Sequence, residues 1–113
     1  MTAGYQELFI EQGADFSTSI TLNDIYGAPY DLTDVSAKGQ IRKSYYSSNT
    51  SSEFTISITD PTDGIIVLSL DSANTTNIRP GRYVYDVSIK DSANTITRIL
   101  EGILNIDPQV TRF

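Results

Sequence analysis

Arg79-Pro80-Gly81-Arg82-Tyr83-Val84-Tyr85-Asp86-Val87-Ser88-Ile89-Lys90-Asp91, followed by Ile96-Thr97-Arg98-Ile99-Leu100-Glu101-Gly102-Ile103-Leu104-Asn105-Ile106-Asp107, is the stretch that decides the fold. Tyr83, Tyr85, Val87 and Ile89 share one face of the first half, and Leu100, Leu104 and Ile106 share one face of the second, which is the two-residue period of half-buried strands. Asp91-Ser92-Ala93-Asn94 between them is turn chemistry, so the pair reads as a long β-hairpin. Strand phase places Tyr83 and Tyr85 in the core with their hydroxyls reaching its rim. Pro80-Gly81 predicts a type II turn in which Gly81 holds a positive φ.

The rest of the chain repeats this grammar. Tyr5-Gln6-Glu7-Leu8-Phe9-Ile10-Glu11-Gln12 reads as a first strand with Leu8 and Ile10 on one face, and Gly13 allows a break. Asp15-Phe16-Ser17-Thr18-Ser19-Ile20-Thr21-Leu22 puts Phe16, Thr18, Ile20 and Leu22 on a buried face against Ser17, Ser19 and Thr21 on a wet one. Residues 23–29 are turn chemistry. Residues 37–44 form a more polar strand suited to an edge or an exposed face. Residues 45–52 are Ser-rich and read as a mobile loop. Glu53-Phe54-Thr55-Ile56-Ser57-Ile58-Thr59 alternates with Phe54, Ile56 and Ile58 inward. It forms a hairpin through Asp60-Pro61-Thr62-Asp63-Gly64 with Ile65-Ile66-Val67-Leu68-Ser69-Leu70. Asp71 is placed to cap a single helical turn, in a span too short and too rich in Asn and Thr for a stable helix. About seven strands with turns at roughly 8–12-residue spacing predict an all-β fold. The expected architecture is a single antiparallel β-sandwich over residues 1–113, immunoglobulin-like, with at most one short helical turn. The Cys and Trp marks of antibody domains are absent, so strand order stays open.

Composition narrows the chemistry. The chain of 113 residues has no Cys and no His, which removes disulfides, thiolate metal sites and the Ser-His-Asp and Cys-His arrangements of nucleophilic catalysis. Fourteen acidic against eight basic residues give a net charge of −6 without a basic stripe, so no nucleic-acid partner is expected. No apolar run spans a bilayer, and Met1-Thr2-Ala3-Gly4 lacks the basic and apolar regions of a secretion signal, so no membrane partner is expected and the chain reads as made in the cytoplasm. Asn49-Thr50-Ser51 and Asn74-Thr75-Thr76 match the glycosylation sequon, which without such a signal reads as chance.

Carboxylates flank two turns, Asp31 with Asp34 and Asp60 with Asp63. A two-carboxylate hydrolase would need such a pair in a concave pocket, and calcium would need oxygen ligands such as Asp60, Thr62 and Asp63 or Asn23 and Asp24. Turn wording accounts for these residues better than either chemistry. No catalytic, metal or cofactor-binding residue is therefore assigned, and no enzymatic activity is expected. The candidate partner-contact residues are Tyr45, Tyr46, Ser47 and Asn49 in the polar loop, with Tyr26 and Tyr30 near the first turn, because loop tyrosines fill partner pockets or stack on sugars.

Several phrases, in this order, resemble a family of bacteriophage tail and baseplate structural domains. They are Gln12-Gly13-Ala14-Asp15-Phe16, Gly27-Ala28-Pro29-Tyr30-Asp31-Leu32-Thr33, Ile41-Arg42-Lys43, Leu70 through Gly81-Arg82-Tyr83-Val84-Tyr85-Asp86-Val87, and Leu100-Glu101-Gly102-Ile103-Leu104-Asn105-Ile106 with Val110-Thr111-Arg112. The resemblance implies a small β-sandwich module that assembles into a virion tail, baseplate or neck. Other virion proteins are its implied partners, and a homo-oligomer is compatible with the symmetry of such assemblies. Because the sequence stops at Phe113 with no receptor-binding domain after it, a stand-alone component or adaptor is expected rather than a host-recognition protein. The alternative is a carbohydrate-binding or adhesive β-sandwich in which co-facing Tyr45 and Tyr46 stack on a glycan.

Overall fold

The computed structural model describes residues 4–24 and 26–112, so the reading of Met1-Thr2-Ala3 as no secretion signal, and Ile25 within the first turn, lie outside the described residues. The chain builds β1 (Gly4–Tyr5), β2 (Leu8–Glu11), β3 (Phe16–Thr21), β4 (Ser36–Arg42), β5 (Ser52–Glu53), β6 (Thr55–Ser57), β7 (Ile65–Leu70), α1 (Ser72–Thr76), β8 (Gly81–Lys90) and β9 (Ile96–Asp107). The strands form a six-stranded sheet in the order β1-β9-β8-β4-β5, with β2 also on β9, and a three-stranded sheet in the order β3-β7-β6. The two sheets pack as a sandwich around one cluster of Leu, Ile, Val, Phe and Tyr side chains, as the alternation requires. In immunoglobulin terms the layers are G-F-C-C′ and B-E-D.

The expected hairpin is the backbone of the larger sheet. Its turn is closed by the Asp91 carboxylate, which accepts from the backbone N–H of Ala93 and of Thr95, each at 2.9 Å. A bulge between Val87 and Ser88 makes Ile99 and Leu100 both buried, so Ile99 joins a core from which strict alternation had left it out. Gly81 does have a positive φ, but at 145° it already belongs to β8 rather than to the third position of a type II turn.

Two further differences from the sequence reading have physical causes. First, the pairing is not wholly antiparallel: β1 and β2 run parallel to β9, in the register Leu8 to Leu104 and Ile10 to Ile106. This buries Leu8 and Ile10 over the last strand and leaves β3 without a neighbour from the N-terminus. Second, the segment read as one strand from Glu53 to Thr59 changes sheets. Glu53 pairs with Gln40 in the larger sheet, and Thr55 pairs with Ser69 in the smaller. Phe54 is the pivot: its N–H donates to Gly39 O at 2.9 Å and its ring drops into the core. The single helical turn expected after Asp71 is present as α1, with Asp71 as N-cap accepting from Asn74 N at 2.8 Å. What holds so short a helix is the buried Thr75 hydroxyl, which donates to Ala14 O at 2.9 Å and accepts from Gly13 N at 3.1 Å.

An aromatic column takes the place of the disulfide that crosses antibody domains. Tyr83 donates from its hydroxyl to Arg79 O at 2.8 Å, the tyrosine corner of the immunoglobulin fold. Tyr85, two residues on, sits where such domains carry the second cysteine. Its ring meets Phe54 edge-on at 5.9 Å between centroids, and Phe54 meets Phe16 of β3 at 6.4 Å.

Tyr85 also donates to Gln6 O at 2.6 Å. Burial, and secondarily Tyr5 nearby, pushes its hydroxyl up to about 12. The folded state therefore holds this proton more tightly than the unfolded chain, whose tyrosines titrate near 10. The contribution is fully present below about pH 10 and is lost as pH rises toward 12, on the order of 2–3 kcal/mol. Tyr85→Phe is expected to cost about 1 kcal/mol at pH 7, where Gln6 O loses its donor. It should also flatten the fall in stability between pH 10 and pH 12, measured by urea unfolding across that range. An unchanged alkaline limb would contradict the assignment.

Candidate functional site

The outward face of the six-stranded sheet carries the most organised surface chemistry among the described residues. Strand alternation that sends Ile41, Tyr85 and Leu104 inward sends Gln40, Arg42, Val84, Asp86, Ile103 and Asn105 outward. Val84 and Ile103 are cross-strand partners, an apolar pair at the centre of this face. Around them charges are linked. Arg98 reaches Glu101 at 3.1 Å and Asp86 at 3.4 Å, and on the far side Lys38 lies 3.9 Å from Glu53. Glu53 accepts from Gln40 Nε2 at 2.9 Å, Gln40 Oε1 accepts from Arg42 at 2.9 Å, and Arg42 donates to Ser47 O at 2.9 Å. These pairs are solvent-exposed and add little stability, but the chain of contacts fixes the orientation of Arg42.

That last contact also settles residues 45–52. Hydrogen bonds tie down both ends of this segment: Ser44 N donates to Ser47 Oγ at 3.2 Å, and Ser51 N donates to Ile41 O at 2.7 Å. The turn sets Tyr45 over the sheet, where it forms one wall of a groove of about 160 Å³ with Gln40, Arg42, Val84, Tyr85, Asp86 and Arg98. A groove of that size has room for about one amino-acid side chain and is below the roughly 300–1,000 Å³ of small-molecule sites. The lining brings together two guanidinium groups, one carboxylate, an aromatic wall and an apolar floor.

The candidate residues named from sequence are not one constellation. Tyr46 is 98% exposed and does not line the groove that Tyr45 lines. Ser47 contributes its carbonyl to Arg42, and Asn49 is exposed. Tyr26 and Tyr30 are at the other end of the sandwich, beyond Thr21 of β3. There Tyr26 is 87% exposed while Tyr30 packs on the core and donates its N–H to Leu22 O. Sequence reading missed Arg42, Val84, Asp86 and Arg98. Their signal was present in the outward phase of the strands, but only the turn at Ser47 reveals which outward residues converge.

The turn carboxylates serve the turns. Asp60 accepts from both the hydroxyl and the N–H of Thr62, and Asp31 likewise from Thr33, and these hydrogen bonds hold both carboxyls below the ordinary range. That direction is opposite to what a general acid needs. Asp24 Oδ1 is taken by the N–H groups of Tyr26 and Ala28. Among the described residues no group of three His, Cys, Asp or Glu side chains is placed to hold a metal ion. A larger open cleft of about 790 Å³ lies between α1, residues 11–14 and residues 107–112, with Glu11, Asp107 and Arg112 its charged lining groups.

No protein-family model matches the chain, and no curated protein sequence matches it. Solved structures do. A chain in the crystal structure of ICOS in complex with ICOS-L and an anti ICOS-L VNAR domain is 14% identical with a TM-score of 0.56, covering 93% of this chain and 56% of that one. The Lin-41 filamin domain is 20% identical with a TM-score of 0.49, covering 88% of this chain and 82% of that one. At such identities the likeness is one of fold, and the protein is an immunoglobulin-like β-sandwich.

Proposed function

We propose that this protein is a non-enzymatic bacteriophage virion structural component, of the tail, baseplate or neck, acting through protein–protein contacts made by the outward face of its larger sheet. The observation that carries the contact role is the Tyr45 groove. It is lined by Arg42, which donates to the Ser47 carbonyl and to Gln40 Oε1, and by Arg98, paired with Glu101, and it is sized for a single inserted residue. The virion assignment rests on the resemblance of its ordered phrases to phage tail and baseplate domains. The glycan reading needs Tyr45 and Tyr46 on one platform, and their placement does not favour it.

Tyr45→Ala is the test. Tyr45 is 65% exposed, so its removal is expected to change stability by less than about 0.5 kcal/mol. It is expected to reduce incorporation into assembling particles at least about tenfold, the effect of losing a hot-spot side chain worth more than 1.4 kcal/mol. Tyr46→Ala serves as the control and is expected to incorporate normally. Equal incorporation of both variants and the unaltered protein would remove the groove from the account.

A further inference from the structure

We infer that the free edge of β3 is a self-pairing site, at which a second copy of this chain adds its own β3 antiparallel to make one continuous six-stranded sheet from two three-stranded ones. The inference goes beyond the contact face proposed above by naming an edge of the smaller sheet and its occupant, and it does not depend on the virion assignment.

The edge is open because of the parallel pairing described above. β1 and β2 sit on β9, so β3 ends the smaller sheet, and among the described residues its only ladder is to β7. Leu22 N donates to Gly64 O in register with that ladder. Alternation then turns the N–H and C=O groups of Thr18 and Ile20 toward β7, and those of Ser17, Ser19 and Thr21 outward. Natural sheets blunt such an edge with Lys, Pro, a bulge or shortness. The other free edge of this sheet, β6, is only three residues long. β3 has six residues, Phe16-Ser17-Thr18-Ser19-Ile20-Thr21, with no charge, no Pro and no Gly. Its inward residues Phe16, Thr18 and Ile20 are only half-buried, so a neighbouring strand would cover them.

The occupant follows from self-complementarity. A two-fold axis through Ser19 pairs Ser17 with Thr21 and Ser19 with its own copy, which matches every outward donor to an acceptor. In that register Asp15 faces Asn23 and Asp24 faces Ala14, so no like charges are opposed although each copy carries −6. The inward row places Thr18 against Ile20, extending the apolar face across the axis.

Sedimentation velocity of the full chain from about 1 μM to about 1 mM tests this, since an edge contact with Kd near 1 mM still registers there. A concentration-dependent dimer that strengthens with added salt is expected. Ser19→Lys sets two ammonium groups against each other at the axis, on an exposed side chain, and is expected to weaken the dimer at least about tenfold. Ser57→Lys, exposed on β6, should leave it unchanged. Because the chain has no cysteine, Ser19→Cys treated with a short bis-maleimide should give a covalent dimer, the Cβ atoms of a hydrogen-bonded antiparallel pair lying about 5.5 Å apart, and Ser57→Cys should not. A monomer throughout with no cross-linked Ser19→Cys would overturn the inference, as would a dimer indifferent to Ser19→Lys, or cross-linking of Ser19→Cys to a different protein in particles but never to itself. None of these outcomes bears on the Tyr45 groove, which is tested separately by incorporation.

Discussion

Gly102→Ala is expected to destabilise the protein by about 2–4 kcal/mol, lowering its Tm by about 10–20 °C. Gly102 is buried in the middle of β9, where the first strand crosses it. A Cβ at this position would fall on the carbonyl oxygen of Gln6 and within 2.9 Å of its carbon, with the Tyr85 ring at 3.2 Å. The clash is with backbone, so no side-chain rotation relieves it. The missing Cβ is what lets the Gln6 carbonyl turn inward to accept from the Tyr85 hydroxyl, and that turn is where the pairing of residues 4–11 lapses between β1 and β2. The added methyl must push the N-terminal strand off the sheet or tilt it, breaking that hydrogen bond and uncovering Leu8 and Ile10. A Tm shift of only a few degrees in Gly102→Ala would show that the N-terminal strand tolerates displacement and contributes little.

Phe54→Ala is expected to cost about 3–5 kcal/mol, the range for deleting a buried aromatic ring. Phe54 is 7% exposed, at the point where the chain leaves one sheet for the other, and its ring is the middle member of the column from Phe16 in β3 to Tyr85 in β8. Removing it opens a cavity between the layers in a fold with no cysteine to cross-link them. Gly39 faces the ring, close enough that an added Cβ would lie 3.0 Å from it, and having no side chain it cannot fill the space. Phe54→Leu, which keeps most of the volume, is expected to lose less than half as much. Chemical denaturation at pH 7 checks both, and equal costs would show that ring geometry rather than volume holds the layers together.

What was legible in the sequence was whatever depends on local period and turn chemistry. The long hairpin, the alternation of residues 16–22, whose inward side is half-buried except at the buried Leu22, the Asp60 to Gly64 turn and the core placement of Tyr83 and Tyr85 follow from alternation and from Asx chemistry, and the structure has them. What was not legible depends on long-range partners. Alternation in Leu8–Glu11 names a buried face but not which sheet it joins, so the parallel pairing to β9 was invisible. The strict period of residues 53–59 continues through Phe54 whether or not the strand changes sheets. The Ser-rich stretch from 45 to 52 looked too polar to hold a shape, because the contact that pins it comes from Arg42. For the same reason Tyr45 was named without its neighbours: its groove is assembled from β4, β8 and β9, and no local signal links them.

Peptide mass spectrometry of gradient-purified phage particles, with antibody-gold labelling to locate the chain, tests the central claim most directly. The account predicts this protein at a fixed stoichiometry, with label at the tail, baseplate or neck. Particles that lack the chain while infected cells contain it would contradict the virion role.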